Sequence, residues 1–347
     1  MFTKFMALTL NLQLFAGNFN PNTTSQTTSG ASMAPTMKTF YDTALLENAR
    51  AELVFDQFGD KQKMKGNKVE WRKFNTFPEA MTPLTEGVIP DGRSFGMSYI
   101  EATTTQHGDY VTVTDRLEYE AYDDVIYGAT EEMGAACGAT FNRLTRNSLI
   151  SDEYAATSHM YAPKSDGTAT NAEPDGTGSG IVPIDATCKI TPALVNKAAT
   201  WLKKNHAPKI NGTYICLIHP SVAEDLREST EWKEFHKYDN TEPIYKGEIG
   251  VLHGVRFIEN TECKVRKPSG YIASYITMFL GAKAYGILDP QGEGMEMIIK
   301  DKKDIGGPLE QFSTIGYKFC HGAKILYPER ILFLHSASSY SSVDDGN

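Results

Sequence analysis

The sequence predicts an α+β fold, and three patterns in it carry that expectation. Two long strand patterns flank a segment rich in turn residues. One helical stripe runs for some 30 residues with i, i+3/i+4 spacing. The second half then alternates short helices with short apolar strands.

The strand pair comes first in the argument. Residues 68–77 (KVEWRKFNTF) place Val69, Trp71 and Phe77 on one face by alternation. Residues 93–106 (RSFGMSYIEATTTQ) do the same with Phe95, Met97 and Tyr99. Between them stand Pro78, Pro83, Gly87, Pro90 and Gly92. Each arm would extend roughly 30 Å at about 3.3 Å per residue. Two lone strands are marginal in water unless something covers their apolar face. No neighbouring segment of the sequence offers that cover, so the hairpin is expected to be completed by a neighbouring copy. Its expected inter-subunit contacts are Trp71, Arg72, Phe74, Phe77, Pro83, Glu86, Phe95, Met97 and Tyr99.

The helical stripe follows a short strand, HGDYVTVTDRL, in which Val111 and Val113 alternate with Thr112 and Thr114. It is carried by Leu117, Ala121, Tyr122, Val125, Ile126, Ala129, Met133, Ala136, Cys137, Thr140, Phe141 and Leu144. Gly128, Gly134 and Gly138 are its weak points. Such a helix would be roughly 45 Å long at about 1.5 Å per residue, the length of a strut. Before the hairpin, residues 40–58 show helical spacing through Leu45, Leu46, Ala49, Leu53 and Val54. Residues 18–39 are rich in Asn, Thr, Ser, Gly and Pro and read as an extended or partner-ordered arm. The first 41 residues carry Lys4 and Lys38 but no acid.

A Gly/Pro/Ser/Thr/Asp stretch at 163–183 separates the halves. Beyond it, Thr191 before Pro192 is an N-cap with proline at the first helical position. Leu194, Val195, Ala198, Trp201 and Leu202 follow as an apolar stripe that ends at Lys203 and Lys204. TYICLI (213–218) reads as a buried strand and SVAEDLRES as a short helix. Further strands are expected at VRFIE, within 274–289, at 294–301, and in the closing stretch where Ile315, Tyr317 and Phe319 alternate.

Bulk properties narrow the function. With 41% apolar and 22% charged residues in 347, the composition is that of a globular protein. Five widely spaced cysteines with no CxxC pair argue for free thiols rather than a disulfide frame or zinc knuckle. A net charge of −9 argues against tight nucleic-acid binding. Residues 5–17 have the form of a secretory signal but are broken by Asn11 and Gln13, and no run is long enough to span a membrane. The cell interior is the expected location.

Catalytic constellations are absent from the pattern. Cys320 and His321 are strand neighbours that point to opposite faces. His206, His219, His236 and His253 lack metal-ligand spacing and read as surface or turn residues. Asp123-Asp124 and Glu131-Glu132 read as a charged helix face, and GTGSG (176–180) as a loop. The basic-aromatic WRKF (71–74) belongs to the hairpin. No catalytic, cofactor-binding or metal residues are expected, and no cofactor.

The order of these elements resembles the major capsid proteins of tailed bacteriophages, with the Hong Kong 97-type fold. Within them it is most similar to the family typified by coliphage N-four. The carrying residues are LNLQLFAG (10–17), QHGDYVTVTD (106–115), CLIHPSVAEDLRE (216–228), GEIGVLHGVRFIE (247–259) and GYKFCHGAKILYPERIL (316–332). The resemblance implies an N-terminal arm at 1–60, an extended β-hairpin loop at 61–110, and an axial domain at 186–300. It implies a peripheral domain with a spine helix at 111–185 and 301–347. It also implies that the extended loop lies over the adjacent subunit. Copies of the chain in hexamers and pentamers would close an icosahedral virion shell, assembled in the host cytoplasm. The shell would touch packaged double-stranded DNA by weak non-specific contact only and involve no membrane. Portal and decoration proteins are implied partners. A separate scaffolding protein is expected, because no charged helical segment precedes the arm. Lys65, Lys68 and Lys73 lie in the loop, but no nearby carboxylate marks them for cross-linking. An encapsulin-like cellular shell protein is the first alternative, disfavoured by the Ser/Thr-rich arm, and a cytosolic α/β enzyme is the second.

Overall fold

The computed structural model describes residues 53–74, 94–120, 125–151, 158–236, 248–290, 294–305 and 309–347, with isolated positions between 77 and 92. The expected arm, the possible signal stretch and most of the helix at 40–58 lie outside the described residues. The described end of that helix holds a 3₁₀ turn, Phe55–Gln57, with Phe55 buried.

Fifteen strands are described, and they form four sheets. The largest has seven strands in the order β5 (Ser158–Tyr161), β15 (Ile331–Ser336), β10 (Ser274–Leu280), β6 (Tyr214–Ile218), β8 (Val255–Glu259) and β7 (Glu248–Leu252). The short β9 (Val265–Arg266) pairs with β10. Every residue of β6, β10 and β15 is buried, so their unbroken apolar runs reflect cover on both faces. On one face lie helices α3 (Pro192–Lys204), α4 (Pro220–Glu228) and α5 (Thr230–His236), packed on Cys216, Phe257, Tyr275, Phe279 and Leu334. The opposite face, through Leu217, Met278 and Phe333, joins the core beneath the long helix α2 (Val125–Ser151).

The caps of this half follow the sequence. The Thr191 hydroxyl accepts a bond from the Leu194 amide at 3.4 Å. His219, expected in a turn, serves as the N-cap of α4, where its Nδ1 accepts from the Ser221 amide at 3.3 Å. His206 and His253 sit in left-handed turns, at φ 52° each.

The long stripe is described in two pieces. A one-and-a-half-turn helix α1 (Asp115–Glu120) is followed by residues outside the description at 121–124, and then by α2, 27 residues and about 40 Å long. Met133, Cys137, Phe141 and Leu149 bury one side of α2 against a three-stranded sheet. That sheet has the order β12 (Glu296–Lys300), β13 (Phe312–His321) and β4 (Thr105–Thr114). The strand expected from Val111 and Val113 thus extends back to Thr105. Ile315, Tyr317 and Phe319 face the helix, and Phe141 and Phe319 rings meet at 5.5 Å. Cys320 and His321 do point to opposite sides: His321 is buried beside Phe141, while Cys320 is only partly covered. At its far end α2 is tied to the seven-stranded sheet's margin. Arg143 pairs with Glu262, and the buried Arg146 donates to the Glu262 carbonyl at 2.7 Å.

The remaining sheets position the hairpin. Strand β1 (Asp60–Met64) pairs in parallel with β11 (Tyr285–Pro290), which pairs with β14 (Ala323–Ile325). Ile287 and Tyr285 face the α2 core, and the Tyr285 hydroxyl donates to the Phe55 carbonyl. Above this sheet lies the two-stranded ribbon of β2 (Lys68–Phe74) and β3 (Met97–Thr103).

Candidate assembly interface

The ribbon pairs residue for residue from Lys68↔Thr103 to Phe74↔Met97. Its strands stop at Phe74 and Met97, short of the expected 77 and 93. Alternation from this register puts Val69, Trp71 and Lys73 on one face with Ala102, Ile100 and Ser98. Arg72 and Phe74 share the other with Tyr99 and Met97.

The inner face is covered by the chain itself. Val69 and Trp71 pack on a small cluster of Met64, Ala102 and Leu288. Gly286 permits this seat, since a Cβ there would stand 2.7 Å from the Trp71 ring. Lys73 lies 4.5 Å from the centroid of the Tyr327 ring and 3.7 Å from Glu329. The expectation that no neighbouring segment covers the hairpin is therefore corrected for its basal half. The covering residues come from β1 and from β11, some 200 positions away.

Among the described residues nothing covers the outer half. Phe74 is 58% exposed, Phe95 60%, Met97 51%, Tyr99 62% and Phe77 50%. Phe95 stacks on Phe74 at 4.9 Å and on Phe77 at 5.6 Å. Phe77 thus joins the outer aromatic stack and not the Val69–Trp71 face, because the strand ends before the alternation reaches it. Arg72 is exposed and pairs with Glu70 at 3.7 Å, a surface contact of small energetic weight. Pro83 and Glu86 are exposed toward the tip. Met81 and Ile89, which alternation does not single out, are more exposed than the ribbon aromatics, at 82% and 92%. Their signal was available: two large apolar side chains in a turn segment with nothing nearby to bury them. Burying a side chain of this size stabilises by about 1.5–3 kcal/mol. Seven large apolar side chains exposed along the ribbon and toward its tip point to an interaction surface.

A second, unlike apolar surface lies on the side of the β12–β13–β4 sheet away from α2. A groove of about 430 Å³ is floored by Gly108, Tyr110, Gly316 and Ile298 and edged by Ile305, Lys300 and Lys318.

Three of the thiols are held protonated by burial. Burial pushes the Cys137 and Cys263 thiols up to about 12 and raises Cys216 well above its ordinary value. Thiols held protonated are poor nucleophiles. Among the described residues no group of three or more His, Cys, Asp or Glu side chains could hold a metal ion. Among them, too, no helix is long and apolar enough to cross a membrane.

Comparison with known proteins agrees with the architecture. A model of the phage capsid protein family matches residues 148–312. No curated protein matches the chain. Among solved structures, the capsid of cyanophage P-SCSP1u is similar with a TM-score of 0.60 at 14% identity, over 83% of this chain and 89% of that one. The capsid of Helicobacter pylori bacteriophage KHP30 gives 0.59 at 11% identity, over 82% and 91%. The SrpI encapsulin of Synechococcus elongatus gives 0.53 at 11% identity, over 84% and 90%. The chain therefore has the mixed α+β architecture found in phage capsid proteins.

Proposed function

We propose that this chain is the major capsid protein of a tailed bacteriophage, a non-enzymatic subunit with the Hong Kong 97-type organisation. The observation that carries the reading is the ribbon whose inner half is seated on its own chain while its outer half presents a bare aromatic stack. The fold shared with phage capsids and the family match at 148–312 support it.

The ribbon and the grooved sheet face differ in shape and chemistry, so each calls for the other on a second copy. Unlike surfaces that meet head to tail generate rings or open lattices rather than closed two-fold dimers. The outer ribbon of one copy lies over the peripheral part of the next, and hexamers and pentamers close the virion shell. Trp71 anchors the ribbon from within. Arg72, Phe74, Phe77, Pro83, Glu86, Phe95, Met97 and Tyr99 meet the neighbour. A net charge of −9 suits a wall that touches packaged double-stranded DNA only weakly. Scaffolding, portal and decoration proteins are the other partners that the resemblance implies.

The likeness to an encapsulin supports a second reading, a cellular compartment with a protein cargo. Expression of the full chain, followed by sedimentation and negative-stain microscopy, tests the first. Closed megadalton shells or ring-shaped capsomers are expected. A small oligomer whose melting point rises with a metabolite would overturn both shell readings. Shells that recruit a folded protein cargo, and never DNA, would favour the second.

A further inference from the structure

Strand β5 forms one edge of the seven-stranded sheet and begins seven residues after α2 ends. Its parallel pairing with β15 sets His159 opposite Phe333 and Tyr161 opposite His335. Three titratable side chains then line up through the sheet margin. His159 Nδ1 lies 3.0 Å from His335 Nε2, and His335 Nδ1 lies 2.5 Å from Glu173 Oε1. The His335 side chain is fully buried and the Glu173 side chain is 8% exposed. Other groups among the described residues also lie against the cluster. Tyr161 stacks on His335 at 4.7 Å, from β5. Arg266, from β9, pairs with Asp175 at 3.6 Å, and both lie on the Glu173 side. Ser274, from β10, lies beside Glu173. Burial pushes the Glu173 carboxyl up, but His335, Ser274 and Arg266 outweigh it and hold the group below the usual carboxylate range. Burial, with Glu173 adding to it, raises the Tyr161 phenol and keeps it neutral.

We propose that the Glu173–His335–His159 chain is an acid-operated latch that holds edge strand β5 on the sheet and releases it when both imidazoles are protonated. The argument is proton counting. A contact of 3.0 Å between two imidazole nitrogens needs one proton on the line between them. Two neutral rings satisfy it, with His159 donating to a bare His335 Nε2. One added proton is also accommodated, because His335 can then donate to His159 while Glu173 balances the charge. A second proton sets N–H against N–H and leaves two cations beside one buried carboxylate, where like charges repel strongly. The strained contact is relieved only if β5 moves away. Imidazoles as a class take up protons in the window between pH 7 and 4.5. Release would loosen the link from α2 into the large sheet while the Arg143 and Arg146 contacts to Glu262 remain. The inference does not depend on the capsid reading.

Amide hydrogen exchange on the full chain, corrected for intrinsic rates and followed from pH 7.5 to 4.5, tests it. Protection of residues 158–161 should fall by at least about tenfold before residues 274–280 of β10 lose any. In His159→Gln, which keeps a hydrogen-bonding side chain but removes the second cation, β5 should stay protected through the same range. Equal and simultaneous loss in β5 and β10, or β5 unaffected at pH 4.5, would overturn the latch. Histidine C2–H exchange on the unmutated chain gives an answer even if the variant fails to fold. The C2–H exchange of both rings should change at the pH where β5 is released. Ring changes at a pH where β5 stays protected would contradict it.

Discussion

Gly286 and Trp71 show what a single position contributes to the ribbon. The indole occupies the space that a side chain at 286 would fill, with only 2.7 Å between the ring and an added Cβ. Gly286→Ala should therefore cost about 1–3 kcal/mol through overpacking, read as a lower urea midpoint. It should also weaken shell formation by tilting the ribbon. An unchanged midpoint would mean that Trp71 is not tightly seated. His321 offers a second test. Its ring is buried beside Phe141 with its Nε2 3.2 Å from the Thr145 hydroxyl, and burial, helped by His107, pushes it down to about 4. A histidine depressed on folding stabilises above its unfolded value and loses that contribution as pH falls. The loss should develop between about pH 6.5 and 4 and reach about 3 kcal/mol at about 1.4 kcal/mol per unit. Unfolding titrations of His321→Phe should lose most of this slope, and an unchanged slope would place the acid sensitivity elsewhere. The sequence indicated that Trp71 and Phe95 belong to a ribbon, since alternation is a local property. It could not show that Gly286 and Leu288 lie beneath Trp71, because that contact bridges more than 200 residues.

Helices were the most legible elements, because a 3.6-residue period and a cap are written within a dozen positions. Thr191-Pro192 marked the start of α3, and the hydroxyl does accept from the Leu194 amide. Thr191→Ala should destabilise the protein by about 1 kcal/mol, with Thr191→Ser restoring most of it in thermal melts. Equal stability of the Ala variant would show the cap to be idle. The buried stripe of α2 was also readable, through Met133, Cys137 and Phe141. Strand partners were less accessible. The sequence pattern identified β11 and β12 as strands, but not that β11 pairs in parallel with β1 while β12 pairs with β13. Strand periodicity fixes which side chains share a face and is silent about which strand lies alongside.

At the scale of the whole molecule, the division of the ribbon into a seated base and a bare outer half separates folding from assembly. None of the described positions between 78 and 92 belongs to the internal cores. Deleting them with a short Gly-Ser link should leave a folded subunit with a melting temperature within a few degrees of the parent. That subunit should sediment as a monomer or small oligomer. Normal shells from the deletion would remove the tip from the assembly role. The sequence hinted at this division only through an apolar hairpin with too few local partners. The intramolecular half of its cover became visible in the fold, and the proposed function assigns the other half to another copy of the chain.

Hydroxyl-radical footprinting of assembled particles against dissociated subunits tests that last statement most directly. Phe95, Met97 and Tyr99 should be oxidised several-fold more slowly in particles, as expected for side chains that pass from half-exposed to buried. The buried Phe279 should be unreactive in both states. Equal oxidation of the ribbon aromatics in particle and subunit would contradict the account.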